Sequence, residues 1–102
     1  MITFKMNEEF GSFLAVGDNA KEFLDSSVLP ALASSQKVVL DFHGVNNMNS
    51  SFGNALFANL VKIEGRDVLD FIQITNASER LKAEVKSSFA LGLSIRDSSS
   101  VA

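Results

Sequence analysis

Lys37-Val38-Val39-Leu40-Asp41-Phe42-His43-Gly44-Val45-Asn46-Asn47-Met48-Asn49-Ser50-Ser51-Phe52-Gly53, running on through Asn54 to Val61, is the stretch that decides the fold. Val38 to Phe42 is apolar on both faces except at Asp41, the pattern of a strand covered on both sides. A short polar loop follows, then Asn49-Ser50-Ser51, then an apolar helix with Phe52, Leu56, Leu60 and Ile63 on one stripe. Residues at such a strand-to-helix turn can cap the helix with a side-chain oxygen, and the positive end of the helix can attract an anion. Two readings of the adjacent serines therefore stay open: a cap with a polar loop, or a site that receives a phosphate.

Working outward, Ile2, Phe4 and Met6 alternate with Thr3, Lys5 and Asn7, the period of a strand with one buried face. Asn7-Glu8-Glu9 reads as a turn and Phe10 to Val16 as a returning strand, so an N-terminal hairpin is expected. Gly17 breaks that strand and Asp18 is a suitable N-cap. Ala20, Phe23, Leu24, Val28, Ala31 and Leu32 then recur at helical spacing over residues 19 to 34, with Pro30 expected to kink or divide the helix near Ser26-Ser27. The second helix should end at Glu64-Gly65-Arg66-Asp67. Leu69 to Thr75 is a further apolar strand, and Asn76-Ala77-Ser78 opens a last helix carrying Ala77, Leu81, Val85 and Phe89. Gly92 is placed to stop that helix, with a short edge strand at Leu93 to Ile95. The predicted order is β-β-α-β-α-β-α, an α/β fold whose mixed, mostly parallel sheet of about four strands has helices packed against it. One domain is expected over residues 1–96, followed by a flexible Ser-rich tail over 97–102.

Composition narrows the chemistry. The chain has 102 residues, 46% hydrophobic and 21% charged, an ordinary globular balance for one domain. It has no cysteine, which removes disulfides, thiol catalysis and Cys-based zinc sites and fits a cytoplasmic location. No apolar run reaches the ~18 residues of a membrane span, and the N-terminus lacks the basic-then-apolar form of a signal peptide. Net charge is -3 with nine scattered basic residues, a poor match to nucleic acid, which demands clustered cations. Nothing matches a Gly-rich phosphate loop. His43, the single histidine, has no Cys or acidic company suited to a metal. It would act as a general base only with Ser50 or Ser51 within hydrogen-bond reach. Asp41, inside an apolar strand, needs donors, with the backbone of residues 44 to 49 or the helix N-terminus as the expected sources. Phe57 and Val61 lie ~100° from the second helix's stripe. They either pack on a neighbouring helix or form an exposed patch for a partner or a second copy of the chain.

The path VVLDFHGVNNMNSSFG followed by an apolar helix resembles the STAS domain family, the fold of bacterial anti-sigma factor antagonists. It is most similar to the small STAS-like domains of unknown function, whose core reads VxLDFxGVxxxxxSF. Gly17-Asp18, Thr75-Asn76-Ala77-Ser78 and Gly92-Leu93 resemble the family's turn before the first helix, the opening of its last main helix and the close of that helix. In the antagonists the strand-to-helix turn reads Asp-Ser-Ser-Gly-Leu, and here Asn49, Ser50, Ser51, Phe52 and Gly53 match it, with Asn in place of Asp and Phe in place of Gly. The resemblance implies a non-catalytic regulatory module that uses no cofactor or metal. It would dock on a histidine-kinase-like ATPase or anti-sigma-type kinase, with Ser51 as phospho-acceptor. Asn46, Asn47, Asn49, Ser50, Ser51, Gly53, Phe57 and Val61 would form the docking surface. The alternative is a small-ligand or anion-binding domain that uses the N-terminus of the second helix.

Overall fold

The structure, a computed structural model, describes the backbone of residues 1–100 and the side chains of residues 1–96. Its main sheet has three strands, β1 (Ile2–Lys5), β3 (Val38–Asp41) and β5 (Ile72–Thr75), in the order β1-β3-β5. All pairs are parallel, with Ile2 opposite Val38 and Val38 opposite Ile72. Two shorter strands, β2 (Phe13–Leu14) and β4 (Asn47–Met48), form a second parallel pair. The N-terminal hairpin is thus replaced. Residues expected to turn form a helix, α1 (Met6–Phe10), with Glu8 and Glu9 in its first turn, where acidic side chains favour a helix. The chain then leaves β1 for the second sheet instead of folding back on it.

The strand order explains the layering. Each crossover steps in the same direction, and right-handed crossovers of that kind lay their helices on one face of the sheet. Ile2, Phe4, Val38, Leu40, Ile72 and Ile74 accordingly point into the core, while Thr3, Lys5 and Gln73 on the other face are exposed. The expected covering of β3 on both sides is therefore corrected. Val39 stands outside the helix-packed core and owes its 7% exposure to a place between Thr3 and Gln73.

Each of the first two main helices contains a π turn. The first runs as α2 (Gly17–Phe23), a π turn (Leu24–Val28) and α3 (Leu29–Ala33). The predicted division falls there, because Pro30 has no N–H to donate and the wider turn before it absorbs the missing bond. Asp18 does not cap it. Val16 holds the N-cap position without a side-chain bond, and Asp18 lies in the first turn. The second helix runs as α4 (Ser50–Gly53), a π turn (Asn54–Ala58) and α5 (Asn59–Glu64), ending at Gly65 as expected. The extra residue of its π turn rotates the apolar stripe. Ile63, expected in the core, is 55% exposed, and Phe57 and Val61 are buried with Phe52, Leu56 and Leu60.

A 3-10 segment, Arg66–Phe71, occupies the start of the expected third strand, so β5 begins only at Ile72. The last helix, α6 (Glu79–Ser100), opens with the Leu81 N–H donating to Ser78 Oγ at 3.2 Å. It runs straight through Gly92, and residues 93 to 95 are helical, not a strand. Gly92 serves a different purpose: a Cβ there would strike the Ala58 carbonyl oxygen and Val61 Cγ2, and would lie 2.7 Å from Ala58 Cα. Its missing side chain lets α6 cross the second helix at backbone contact. Of the expected tail, the side chains of 97–102 and the backbone of its last two residues lie outside the described residues.

Candidate functional site

The two short strands bring two helix starts together. β2 leads through Ala15 and Val16 into α2, and β4 leads through Asn49 into α4. Asn49 joins them. Its Oδ1 accepts the Phe52 N–H at 2.9 Å, its Nδ2 donates to the Ala15 carbonyl at 3.0 Å, and its own N–H donates to the Leu14 carbonyl at 3.0 Å. One side chain caps α4 and ties it to the entry of α2. A carboxylate at this position would cap equally well but would have no donor for Ala15.

The loop before the cap is held in the same way. Asn46 N–H donates to the Ser12 carbonyl at 2.8 Å, and Met48 N–H to its neighbour Asn47 Oδ1 at 2.9 Å. A tight turn at Phe42 to Val45 precedes it, closed by the Val45 N–H on the Phe42 carbonyl at 2.9 Å, with Gly44 at φ 84°. That left-handed backbone favours glycine.

Because Asn49 does the capping, neither serine is used for it. Ser50 and Ser51 are exposed, and neither hydroxyl has a hydrogen-bond partner among the described residues. Phe52 turns the other way. It is buried against Phe10, ring centroids 5.1 Å apart, and Phe10 packs in turn on Phe23, which meets Phe4. This aromatic chain of edge-to-face contacts, each contributing about 0.5–1.5 kcal/mol beyond its area, anchors the helix start beneath the exposed serines.

The rest of the expected docking surface divides. Asn46, Ser50 and Ser51 are exposed and Asn47 and Asn49 half-buried, but Gly53, Phe57 and Val61 are not on the surface. Gly53 lies under Ser88, whose Oγ would be 2.7 Å from a Cβ at that position. Phe57 and Val61 are each 0% exposed, Phe57 in an edge-to-face contact with Phe89 at 5.2 Å. The exposed-patch reading of these two residues is overturned within the single chain. The second helix is the middle one of three, with α2 on one flank and α6 on the other, and needs apolar side chains on both.

Asp41 also departs from expectation. Its Oδ1 accepts the His43 backbone N–H at 2.9 Å and the Asn76 side-chain amide at 2.8 Å, not the backbone of residues 44 to 49. Asn76, left-handed at φ 56°, a conformation that Asn tolerates better than most residues, thereby links the ends of β3 and β5. The Asn76 bond first, and the His43 N–H second, hold the Asp41 carboxyl below its ordinary range. His43 shares a hollow of about 180 Å³ with Lys5, Asn7, Glu8 and Asp41, which neither serine lines.

Among the described residues no helix is long and apolar enough to cross a membrane, and no group of three His, Cys, Asp or Glu stands together as a metal site. The sequence pattern of the STAS-like domain of unknown function (DUF4325) matches residues 19–82, from α2 through β3, the Asn49 turn and β5 into α6. The chain belongs to this family. No curated protein and no solved structure matches it. The STAS-like stretch contains every residue of the Asn49–Phe52 turn, while α1 and β2, whose Phe10 and Leu14 support that turn, precede it. Sequence reasoning missed that support because a two-residue strand leaves no periodicity to read.

Proposed function

We propose that this STAS-like domain is a non-catalytic, cytoplasmic protein-binding module of the partner-switching kind. It docks through the Asn46–Ser51 loop and the first turn of the second helix on a histidine-kinase-like ATPase or anti-sigma-type kinase, with Ser51 as phospho-acceptor. The observation that carries this reading is the division of labour at the turn. Asn49 supplies the cap and Phe52 the anchor, which leaves the Ser51 hydroxyl exposed and without an intramolecular partner. A phosphate there adds roughly -1.5 to -2 charges at a helix N-terminus, where negative charge is tolerated. The modification would therefore act on the docked partner and leave the fold in place.

The test pairs the chain with an ATPase-kinase encoded beside its own gene. Incubation with ATP should add one phosphate, located on Ser51 by peptide mass spectrometry and absent from Ser51→Ala. Ser51→Asp should unfold at the same temperature as the parent yet bind the kinase at least about tenfold more weakly, a loss of ~1.4 kcal/mol. Phosphate found on another residue, or equal affinity for the parent and Ser51→Asp, would defeat the proposal.

A further inference from the structure

β5 closes the main sheet on one side, and its outer edge pairs with no strand among the described residues. The ladder sets which backbone groups face outward. Phe42 N–H donates to the Thr75 carbonyl at 2.8 Å, so Thr75 faces β3. Successive residues of a strand turn their N–H and C=O to opposite sides. Gln73 therefore also faces β3, and Ile72 and Ile74 present theirs to the open edge. Beside this edge α6 overhangs a hollow of about 260 Å³ lined by Ile74, Val85 and Phe89, with Lys82 and Lys86. No carboxylate lines it. Lys82 has Glu79 at 3.4 Å, an exposed pair that holds a lysine only weakly, and Lys86 makes no ion pair among the described residues. In a chain of net charge -3, two lysines beside an apolar hollow reverse the local sign.

The geometry points to the β5 edge as a docking site for an extended segment of a partner protein that carries a large apolar side chain with acidic ones two residues before and two residues after it, all three on the face that α6 covers. The added strand takes up the outward backbone groups of Ile72 and Ile74. Its inward-pointing apolar side chain fills the hollow against Phe89 and Val85, and its carboxylates meet Lys82 and Lys86. Charge decides the occupant: a second copy paired edge to edge would bring its own lysines to the same rim, and like charges facing across strands are unfavourable. This site does not include Ser51 and stands or falls independently of the switch.

The test uses the full chain and fluorescein-labelled synthetic peptides of Glu-Thr-Leu-Thr-Glu pattern, which put Leu and both Glu on one face, read by polarisation and by amide chemical shifts. Saturable binding is expected, with shifts concentrated at Ile72–Thr75 and on α6 from Lys82 to Phe89. The exposed double variant Lys82→Glu with Lys86→Glu, checked for parental helicity, should bind about tenfold more weakly. Peptides N-methylated at alternate amides should lose binding in one of the two registers. Absence of saturable binding, shifts centred elsewhere, equal binding by a Lys-Thr-Leu-Thr-Lys peptide, or unchanged affinity in the double variant would overturn the assignment. So would self-association of the chain through β5, which would give the edge to a second copy.

Discussion

Replacing Gly92 by alanine sets two effects of opposite sign against each other. Helix propensity favours the change by about 1 kcal/mol, since glycine is the costlier residue in a helix interior. Packing opposes it. The new Cβ would lie 2.7 Å from Ala58 Cα and closer still to the Ala58 carbonyl oxygen and Val61 Cγ2, where ordinary contact begins at 3.4 Å. Two of those three atoms are backbone and cannot rotate aside. α6 must withdraw by most of an ångström, which loosens the Phe57–Phe89 contact and the seat of Ser88 over Gly53. Overpacking of this kind costs about 1–3 kcal/mol and occasionally more. Because the clash is with backbone, the upper end of that range applies, and after the propensity gain is subtracted a net destabilisation of ~2 kcal/mol remains in a domain whose whole stability is of order 5–15 kcal/mol. Urea unfolding followed by circular dichroism suits a chain with no Trp or Tyr. With a slope of about 1–3 kcal/mol per molar, the midpoint should fall by roughly 1 M. Ser87→Ala, on the exposed side of the same helix, is the control and should hold or slightly raise the midpoint. A Gly92→Ala midpoint at or above the parent's would refute the close crossing and return Gly92 to the role of a helix stop.

Three further outcomes follow from the turn and the strand ends. Asn49→Ala should cost about 1.5–3 kcal/mol, a cap plus a hydrogen bond to Ala15, and Asn49→Asp should fall between Ala and Asn by thermal melting; an Asp variant as stable as Asn would show that the Ala15 bond contributes nothing. Phe52→Ala and Phe57→Ala should each cost about 3–5 kcal/mol, measured by urea unfolding, as core residues do and surface residues do not. Because the Asp41 carboxyl titrates below its ordinary range in the folded chain, its contribution to stability is present above the unfolded-state value and is lost as pH falls through the folded-state value. Asp41→Asn should flatten the acid arm of an unfolding-midpoint-versus-pH curve, and an identical slope in that variant would argue against the Asn76 and His43 bonds.

Much of the fold was legible because its signals are local. The alternation of Ile2 and Phe4, the helical spacing from Ala20 to Leu32, the Ser78 start of α6 and the Gly65 stop all follow from backbone geometry within a few residues, and all are found, although Met6 already opens α1. The failures share a cause. Local pattern alone gives a turn and a hairpin strand where α1 and β2 form, because β2 exists only through its pairing with β4 more than thirty residues away. The spacing expects Ile63 inside and leaves Phe57 and Val61 open between helix packing and an exposed patch, because a stripe counted at 3.6 residues per turn does not foresee a π turn. At the site, Asn49 was one cap among three possible, and nothing near it in sequence announces that Ala15 needs a donor.

The sequence by itself determined an α/β domain of the STAS-like family, with an apolar strand entering a helix at Asn49-Ser50-Ser51, because strand and helix periods are written in neighbouring residues. Only the tertiary structure decided which faces those elements show. Strand order put the three main helices on one side of the main sheet and left Thr3, Lys5 and Gln73 bare. Helix crossing at Gly92 buried Phe57 and Val61. A bond across two chain segments made Asn49 the cap and left Ser51 exposed. Each depends on contacts between residues far apart in the chain, whose free energy no local pattern records.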